Sequence, residues 1–158
     1  MKTSDFDYDL PESLIANYPT DKRTSSRLLV KTENIEHKFF KDITKYFKEG
    51  DLLILNNTSV IPARIYGNKE SGGSVEILLE RVIENNQALV QIRSGRAPKV
   101  GTIIILDRYK VKCIDREDNF FILQFDRPPL EIFTKIGHVP LPPYIKRHDE
   151  DLDKDRYA

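Results

Sequence analysis

The sequence contains a single cysteine, Cys113, and therefore has neither an internal disulfide nor a thiolate metal cluster. A chain without paired cysteines is typical of the reducing cytosol, so we expect a cytoplasmic protein. No apolar run approaches the roughly 18 residues of a membrane-spanning helix, and the N-terminus has no hydrophobic signal-peptide segment. The sequence thus predicts a protein with no membrane partner.

An excess of charge of one sign is also missing, because 25 basic side chains balance 25 acidic ones in 158 residues. This balance excludes a strongly basic nucleic-acid-binding arm but leaves room for a local basic patch. The motifs of several common chemistries are absent: there is no Gly-rich phosphate loop, no GxSxG and no HExxH. Cys113 lies in an alternating strand pattern, so we expect it to be packed in a core.

The N-terminal part of the chain has patterns of both helix and strand. Residues Arg27 to Lys31 predict a short strand, and aromatic residues at helical spacing predict a helix over 37–48 that Gly50 ends. The continuous apolar run Leu52 to Leu55 predicts a strand buried on both faces. At the other end of the chain, the acidic run from Asp149 to Asp155 predicts a solvent-exposed tail.

The central part of the sequence changes character after Gly67. Several short β-rich runs follow one another with turn residues between them, which is typical of a small antiparallel barrel. These runs are Val75–Val82, Ala88–Ile92, Thr102–Leu106, Lys110–Ile114 and Phe120–Phe125. We therefore predict a mixed α+β fold, in which a partial α/β domain (residues 1–66 and 137–158) carries an inserted antiparallel β-barrel (residues 67–136).

A polar segment from Asn56 to Arg64 directly follows the predicted buried strand. In open α/β sheets, ligands bind beyond the carboxyl ends of the strands. The side chains of Asn56 and Thr58 supply donors and acceptors, and the planar cation of Arg64 suits a carboxylate or a phosphate. The alternative is a polar turn whose side chains bond only the local backbone.

A second candidate segment, Gly137 to Arg147, has three prolines in four positions, which favour a stiff, extended conformation. His138 can donate or accept a proton near neutral pH. The Tyr144 ring can stack on a base, while Lys146 and Arg147 can contact phosphate. The alternative is a stiff interdomain linker with a solvated basic end.

A third segment, residues 86–101, has Arg93, Arg96 and Lys99 and no acidic residue. A loop of this composition on a barrel would form a positive patch that contacts a nucleic-acid backbone. The alternative is an ordinary exposed hairpin that happens to carry cations.

Several blocks of sequence occur together in a fixed order over nearly the whole chain. They are Asp5-Phe6-Asp7-Tyr8, Ser26-Arg27-Leu28-Leu29, Gly50-Asp51-Leu52-Leu53, the segment from Asn56 to Arg64, Gly72-Gly73, the segment from Gly137 to Arg147, Asp149, and Arg156-Tyr157. On these blocks the chain resembles the S-adenosylmethionine:tRNA ribosyltransferase-isomerases of queuosine biosynthesis.

Two departures from that family stand out. The family usually has Asn-Asp-Thr-Arg where this chain has Asn56-Asn57-Thr58-Ser59, so roles of that acid and that cation do not carry over. The family also continues beyond the block Arg156-Tyr157 into a further large α/β part. We therefore expect this chain to be a C-terminally truncated member.

The resemblance implies a tRNA-modifying enzyme with no metal. Such an enzyme transfers and isomerises the ribosyl group of S-adenosylmethionine, its co-substrate, onto 7-aminomethyl-7-deazaguanine in the tRNA anticodon, giving epoxyqueuosine. The resemblance does not identify the general base.

The substrate-binding candidates are Asn56, Thr58, Arg64, His138, Tyr144, Lys146 and Arg147, and the RNA-binding candidates are Arg93, Arg96 and Lys99. A monomer is expected. The alternatives are a non-catalytic tRNA- or RNA-binding module and a plain barrel interaction domain.

Overall fold

The computed structural model describes residues 1–84 and 86–156. The chain forms two compact units. The first comprises Met1–Thr58 and Pro143–Arg147, and the second comprises Ser59–Pro142 and His148–Ala158. The predicted domain division at residues 66/67 and 136/137 stays a prediction. The first barrel strand begins at Arg64.

The second unit is built around a closed barrel of six strands. The strands are β3 (Arg64–Lys69), β4 (Ser74–Ile83), β5 (Gln87–Ser94), β6 (Ile103–Leu106), β7 (Tyr109–Glu117) and β8 (Phe120–Phe125). Their order around the barrel is β3-β4-β5-β8-β7-β6, and every neighbouring pair is antiparallel. The predicted inserted barrel and the mixed fold class, mostly sheet with few helices, are thus confirmed.

Alternation and turn residues explain why these segments form a barrel. Along β4, Val75 and Ile77 point into the core while Glu76 between them does not, as the two-residue period of a strand requires. Two of the hairpin turns use Asp107 and Asp118 at φ of 54° and 52°. Aspartate tolerates this left-handed conformation better than most residues, so these turns fix where the strands reverse.

One helix, α1 (Pro129–Ile136), completes the barrel core. Its Ile132 and Phe133 are buried in the same cluster as the inward-facing strand residues, and the Phe133 ring centroid lies 6.2 Å from that of Phe125. Cys113 is fully buried in this core, as predicted. Burial raises the pKa of the Cys113 thiol, which keeps it protonated and unreactive.

The first unit contains the antiparallel strands β1 (Arg27–Lys31) and β2 (Ile35–Phe39) and short 3₁₀ helices, and none of its residues 1–58, all of which the structure describes, is buried. The 3₁₀ helices are Thr3–Phe6, Glu12–Leu14, Arg23–Ser25 and Phe40–Tyr46. The prediction for β1 is confirmed.

Two predictions for the first unit are wrong. The helix expected over 37–48 is instead the end of β2 followed by the 3₁₀ helix Phe40–Tyr46, because pairing with β1 takes residues 35–39 into a hairpin. The apolar run Leu52 to Leu55 is not a buried strand. Its side chains are 56–84% exposed and have no regular structure, since the described part of this unit offers only a two-stranded sheet.

The expected acidic tail is also different from the prediction. It contains the helix α2 (Asp151–Arg156), in which Asp153 is fully buried. The backbone N–H of Glu150 donates to Asp153 Oδ2 at 2.8 Å, so this carboxylate satisfies a donor at the start of the helix. Within the described residues, no helix has the length and apolar composition needed to cross a bilayer.

Candidate functional site

The candidate site forms where the chain enters the barrel and where it leaves α1. The backbone N–H of His138 donates to the carbonyl oxygen of Arg64 at 2.7 Å, and the N–H of Arg64 donates to the carbonyl of His138 at 3.1 Å. These reciprocal bonds form an isolated antiparallel bridge. Two segments that are 74 positions apart by residue number thereby contribute one candidate residue each to the same place.

Gly137 makes this bridge sterically possible. A Cβ atom at this position would lie 2.2 Å from the carbonyl oxygens of both Phe133 and Pro62, far too close for any side chain. Its N–H donates to the Phe133 carbonyl at 2.8 Å and so ends α1. Because glycine allows the chain to pass between these two carbonyls, the next residue, His138, is aimed at the first residue of β3.

The His138 side chain is paired with a carboxylate. Its Nδ1 lies 3.0 Å from Oδ2 and 3.1 Å from Oδ1 of Asp149. A carboxylate can only accept, so Nδ1 carries the proton and, in the neutral ring, the lone pair lies on Nε2. The Asp149 side chain is 12% exposed and that of His138 is 44% exposed. The orienting group is therefore sheltered while the imidazole stays accessible.

The imidazole also contacts an aromatic side chain of the barrel. The Tyr66 ring on β3 meets the His138 ring edge to face, with centroids 5.2 Å apart and an interplanar angle of 66°. Together with the backbone bridge and Asp149, this contact restrains the ring from several sides. Restraint of this kind preorganises a proton-transfer group.

A cavity of about 560 Å³ opens beside this pair. Its lining residues are Lys135, Ile136, Gly137, His138, Asp149, Glu150, Asp151 and Lys154. The Lys154 ammonium donates to Asp151 Oδ1 at 2.9 Å, and this hydrogen bond lowers the pKa of Asp151 and raises that of Lys154. The cavity is large enough for a nucleoside-sized ligand.

Arg64 itself is engaged with the neighbouring strand. Its Nε lies 3.0 Å from Glu76 Oε1 on β4, and the two side chains are 25% and 29% exposed. The Nε is buried and the contact lacks hydrogen-bonding geometry, so it is an ion pair only. A neighbouring carboxylate reduces the attraction of this guanidinium for an anion.

The predicted basic patch lies on the barrel, with Arg93, Arg96 and Lys99 all exposed. Arg93 lines a groove of about 830 Å³ and pairs in register with Glu76. The loop after β5 is fixed through its backbone, since the Arg96 carbonyl accepts from Lys69 Nζ at 2.6 Å. Backbone anchoring leaves the cationic end of Arg96 available to solvent and adds a lysine from β3 to the same surface.

The other five substrate-binding candidates belong to the first compact unit. Asn56 and Thr58 are exposed and bond each other: the N–H and hydroxyl of Thr58 donate to Asn56 Oδ1 at 2.9 and 2.7 Å. This is the local polar turn named above as the alternative. Tyr144 is 58% exposed.

Lys146 and Arg147 bind side chains and backbone near the N-terminus. The Lys146 ammonium forms an ion pair with Glu12, and its hydrogen bond lowers the pKa of that carboxyl. The Nε of Arg147 donates to the Asn17 carbonyl at 2.8 Å, and its guanidinium lies over the Tyr18 ring, 4.4 Å from the centroid. In this structure both cations therefore hold the first unit together.

Sequence reasoning missed three residues of the site: Asp149 as the partner of His138, Tyr66 as its ring contact, and Lys69 beside the basic patch. The outward position of Tyr66 follows from alternation along β3, but the neighbours of Tyr66 and Lys69 depend on barrel closure. Tyr157, which belongs to the resemblance, lies outside the described residues. Among the described residues, no group of three potential ligands could hold a metal ion.

Comparison with known proteins decides the family. The model of the family described as "Queuosine biosynthesis protein" matches residues 3–158. The chain belongs to this family. The queuosine biosynthesis family model therefore covers both the barrel and the segments on either side of it.

Two relatives are similar to this chain over most of its length. An S-adenosylmethionine:tRNA ribosyltransferase-isomerase of Vesicomyosocius okutanii subsp. Calyptogena okutanii (strain HA) is 48% identical over 159 residues, which is 99% of this chain and 47% of that protein. The crystal structure of an S-adenosylmethionine tRNA ribosyltransferase from Thermotoga maritima matches 84% of this chain and 48% of its own, with 41% identity and a TM-score of 0.42. The chain thus spans about half the length of these relatives.

Proposed function

We propose that this chain provides the N-terminal portion of an S-adenosylmethionine:tRNA ribosyltransferase-isomerase. The observation that carries the proposal is 48% identity, over 99% of the chain, to a relative with that name. S-adenosylmethionine is the co-substrate. The acceptor is 7-aminomethyl-7-deazaguanine in a tRNA anticodon, and the product is epoxyqueuosine. A tRNA substrate also fits the cytoplasmic location expected from the lone cysteine, and the protein acts as a monomer.

The chemistry of the donor fits this assignment. A sulfonium centre acidifies the protons on the adjacent 5′ carbon, so a general base can start the reaction. The ribosyl group must then meet the acceptor amine, which requires two substrates held in fixed geometry. An anticodon base is single-stranded and accessible, which suits recognition by stacking and by phosphate contacts.

In our proposal, different residues bind the nucleoside and the tRNA. His138 contacts the nucleoside in the cavity at the end of α1. Arg64 remains a candidate for substrate contact from β3, and the tRNA backbone is contacted by Arg93, Arg96 and Lys99. Exposure of these three cations on one barrel supports an electrostatic tRNA surface. Asn56, Thr58, Tyr144, Lys146 and Arg147 remain candidates for substrate contact from the first unit.

The test is an adenine-release assay. It uses S-adenosylmethionine and an anticodon stem-loop that contains the aminomethyl-deazaguanine. The assay is run on this chain and on the chain extended to the length of its curated relatives. We expect release by the extended version that depends on both substrates. A version that binds the stem-loop but releases no adenine would instead favour the non-catalytic tRNA-binding module.

A further inference from the structure

We infer that His138 is the general base that removes a 5′ proton from the sulfonium nucleoside, and that Asp149 is its positioning residue. This inference rests on the proposed function and deepens it, because neither the family match nor the relatives' names assign a base. It is carried by the geometry of the pair and by the cavity into which the pair opens.

The geometry is that of an oriented base. Both carboxylate oxygens of Asp149 lie within 3.1 Å of His138 Nδ1, so the carboxylate fixes the tautomer and leaves Nε2 as the acceptor. The same logic operates wherever a carboxylate orients a catalytic histidine. Asp149 is largely shielded from water, at 12% side-chain exposure, while His138 keeps 44%. A base must reach its substrate, whereas its orienting group works best when sheltered.

Several ionisable groups surround the imidazole in addition to its partner. They are Tyr66 on β3, Lys135 on α1, Glu150 before α2, and Asp151 and Lys154 on α2. Lys135 donates to Glu131 Oε1 at 2.6 Å and Lys154 donates to Asp151, so both ammonium groups are neutralised locally. The Asp149 carboxylate adds negative charge to the same wall. A wall of this charge favours a sulfonium cation over an anion.

The proposed step balances without any further reagent. The bond between C5′ and hydrogen breaks, and the proton forms a new bond to His138 Nε2. The electron pair stays on C5′ next to the positive sulfur, as an ylide. The imidazole becomes an imidazolium, which the Asp149 carboxylate stabilises across the Nδ1 contact as in other carboxylate–histidine pairs.

The test uses the chain extended to the length of its curated relatives, in the adenine-release assay. His138→Ala is expected to lower kcat by about 10²–10⁴-fold, the usual contribution of a general base. Added imidazole should restore part of that loss, because the cavity then holds a free base. His138→Asn keeps an N–H that can reach Asp149 and should be equally slow, which separates loss of the base from loss of folding. His37→Ala, at an exposed position on β2, is the matched control and should keep full activity.

Asp149 is tested by the split between kcat and KM. Asp149→Asn should lower kcat with little change in KM for S-adenosylmethionine, and Asp149→Glu should recover part of kcat. A merely structural carboxylate would instead lower the melting temperature and show no such recovery.

The outcomes separate the two proposals. An inactive wild-type extended protein would overturn the proposed function and this inference with it. An active wild type would overturn the inference alone in either of two cases. In the first, His138→Ala stays within tenfold of wild type. In the second, its loss of activity is accompanied by loss of stem-loop binding and is not rescued by imidazole.

Discussion

The closure of the barrel depends on a narrow contact at Gly67, which makes Gly67→Ala a sharp test of the fold. The seam between β3 and β6 has only two residue pairs in register, whereas that between β4 and β5 has eight. Gly67 lies in β3 beside this seam. A Cβ atom there would be 2.4 Å from the carbonyl oxygen of Ile105 and 2.5 Å from Leu106 Cδ2.

The expected cost follows from these two contacts. The leucine tip can move, but the carbonyl of Ile105 belongs to the backbone of β6, so the seam must open. Overpacking of this kind costs about 1–3 kcal/mol, and the upper half applies when backbone must move. Alanine recovers about 0.5–1 kcal/mol because glycine is unfavourable inside a strand. The net loss is therefore about 2 kcal/mol, roughly a 30-fold fall in the folding equilibrium constant.

The measurement is denaturant or thermal unfolding of the chain followed by far-ultraviolet circular dichroism, since the sequence has no tryptophan. For a protein of 150–250 residues, such as this chain of 158, each kcal/mol of lost stability lowers Tm by about 2–4 °C. Gly95→Ala is the matched control, because nothing lies within 4 Å of its added Cβ atom, and it should stay within about 0.5 kcal/mol of wild type. A Gly67→Ala protein as stable as the control would refute the close approach of β3 and β6.

Further expectations concern charge, burial and local stability. The double variant Arg96→Ala with Lys99→Ala should weaken stem-loop binding and reduce the salt dependence of its affinity. The charge-preserving double variant Arg96→Lys with Lys99→Arg should keep both the affinity and its salt dependence. An unchanged salt slope in the alanine double variant would show that this loop does not contact the RNA. Because burial raises the pKa of the Cys113 thiol, iodoacetamide at pH 8 should label the native chain far more slowly than the chain in denaturant, and equal rates would contradict its burial. Phe133→Ala should cost about 3–5 kcal/mol in urea unfolding, and a loss below about 1 kcal/mol would show that α1 does not complete the core. Amide hydrogen exchange should be much faster in residues 1–58, none of which is buried, than in the barrel strands, and equal protection would refute that contrast.

The barrel was readable from the sequence because its signals are local. Alternation such as that of Val75, Glu76 and Ile77 marks a strand with one buried face, and turn residues such as Asp107 mark where the chain reverses. Neither signal depends on what lies elsewhere in the chain. The segment Leu52 to Leu55 shows the opposite case, since an apolar run becomes a buried strand only where other strands and layers cover it.

The candidate site was only partly readable for a related reason. His138 was found as a titratable residue in a stiff segment, but its partner Asp149 lay in a run that composition assigns to solvent. Their pairing depends on the bridge to Arg64 and on Gly137 passing between two carbonyls, which are tertiary events. Lys146 and Arg147 have the right charge for phosphate, yet charge alone does not show that each cation already binds another group of the protein.

The reciprocal hydrogen bonds between Arg64 and His138 have a consequence for how such a barrel can be acquired or removed. They hold the first barrel residue and the second residue after the closing helix side by side, about 5.5 Å apart as in any bonded antiparallel pair. A protein that receives the barrel as an insertion would therefore need to separate its own backbone by only that distance at the insertion point. Replacing everything between these neighbours with a short reverse turn should therefore leave the flanking backbone undistorted, so the fold has a natural point for excision or grafting.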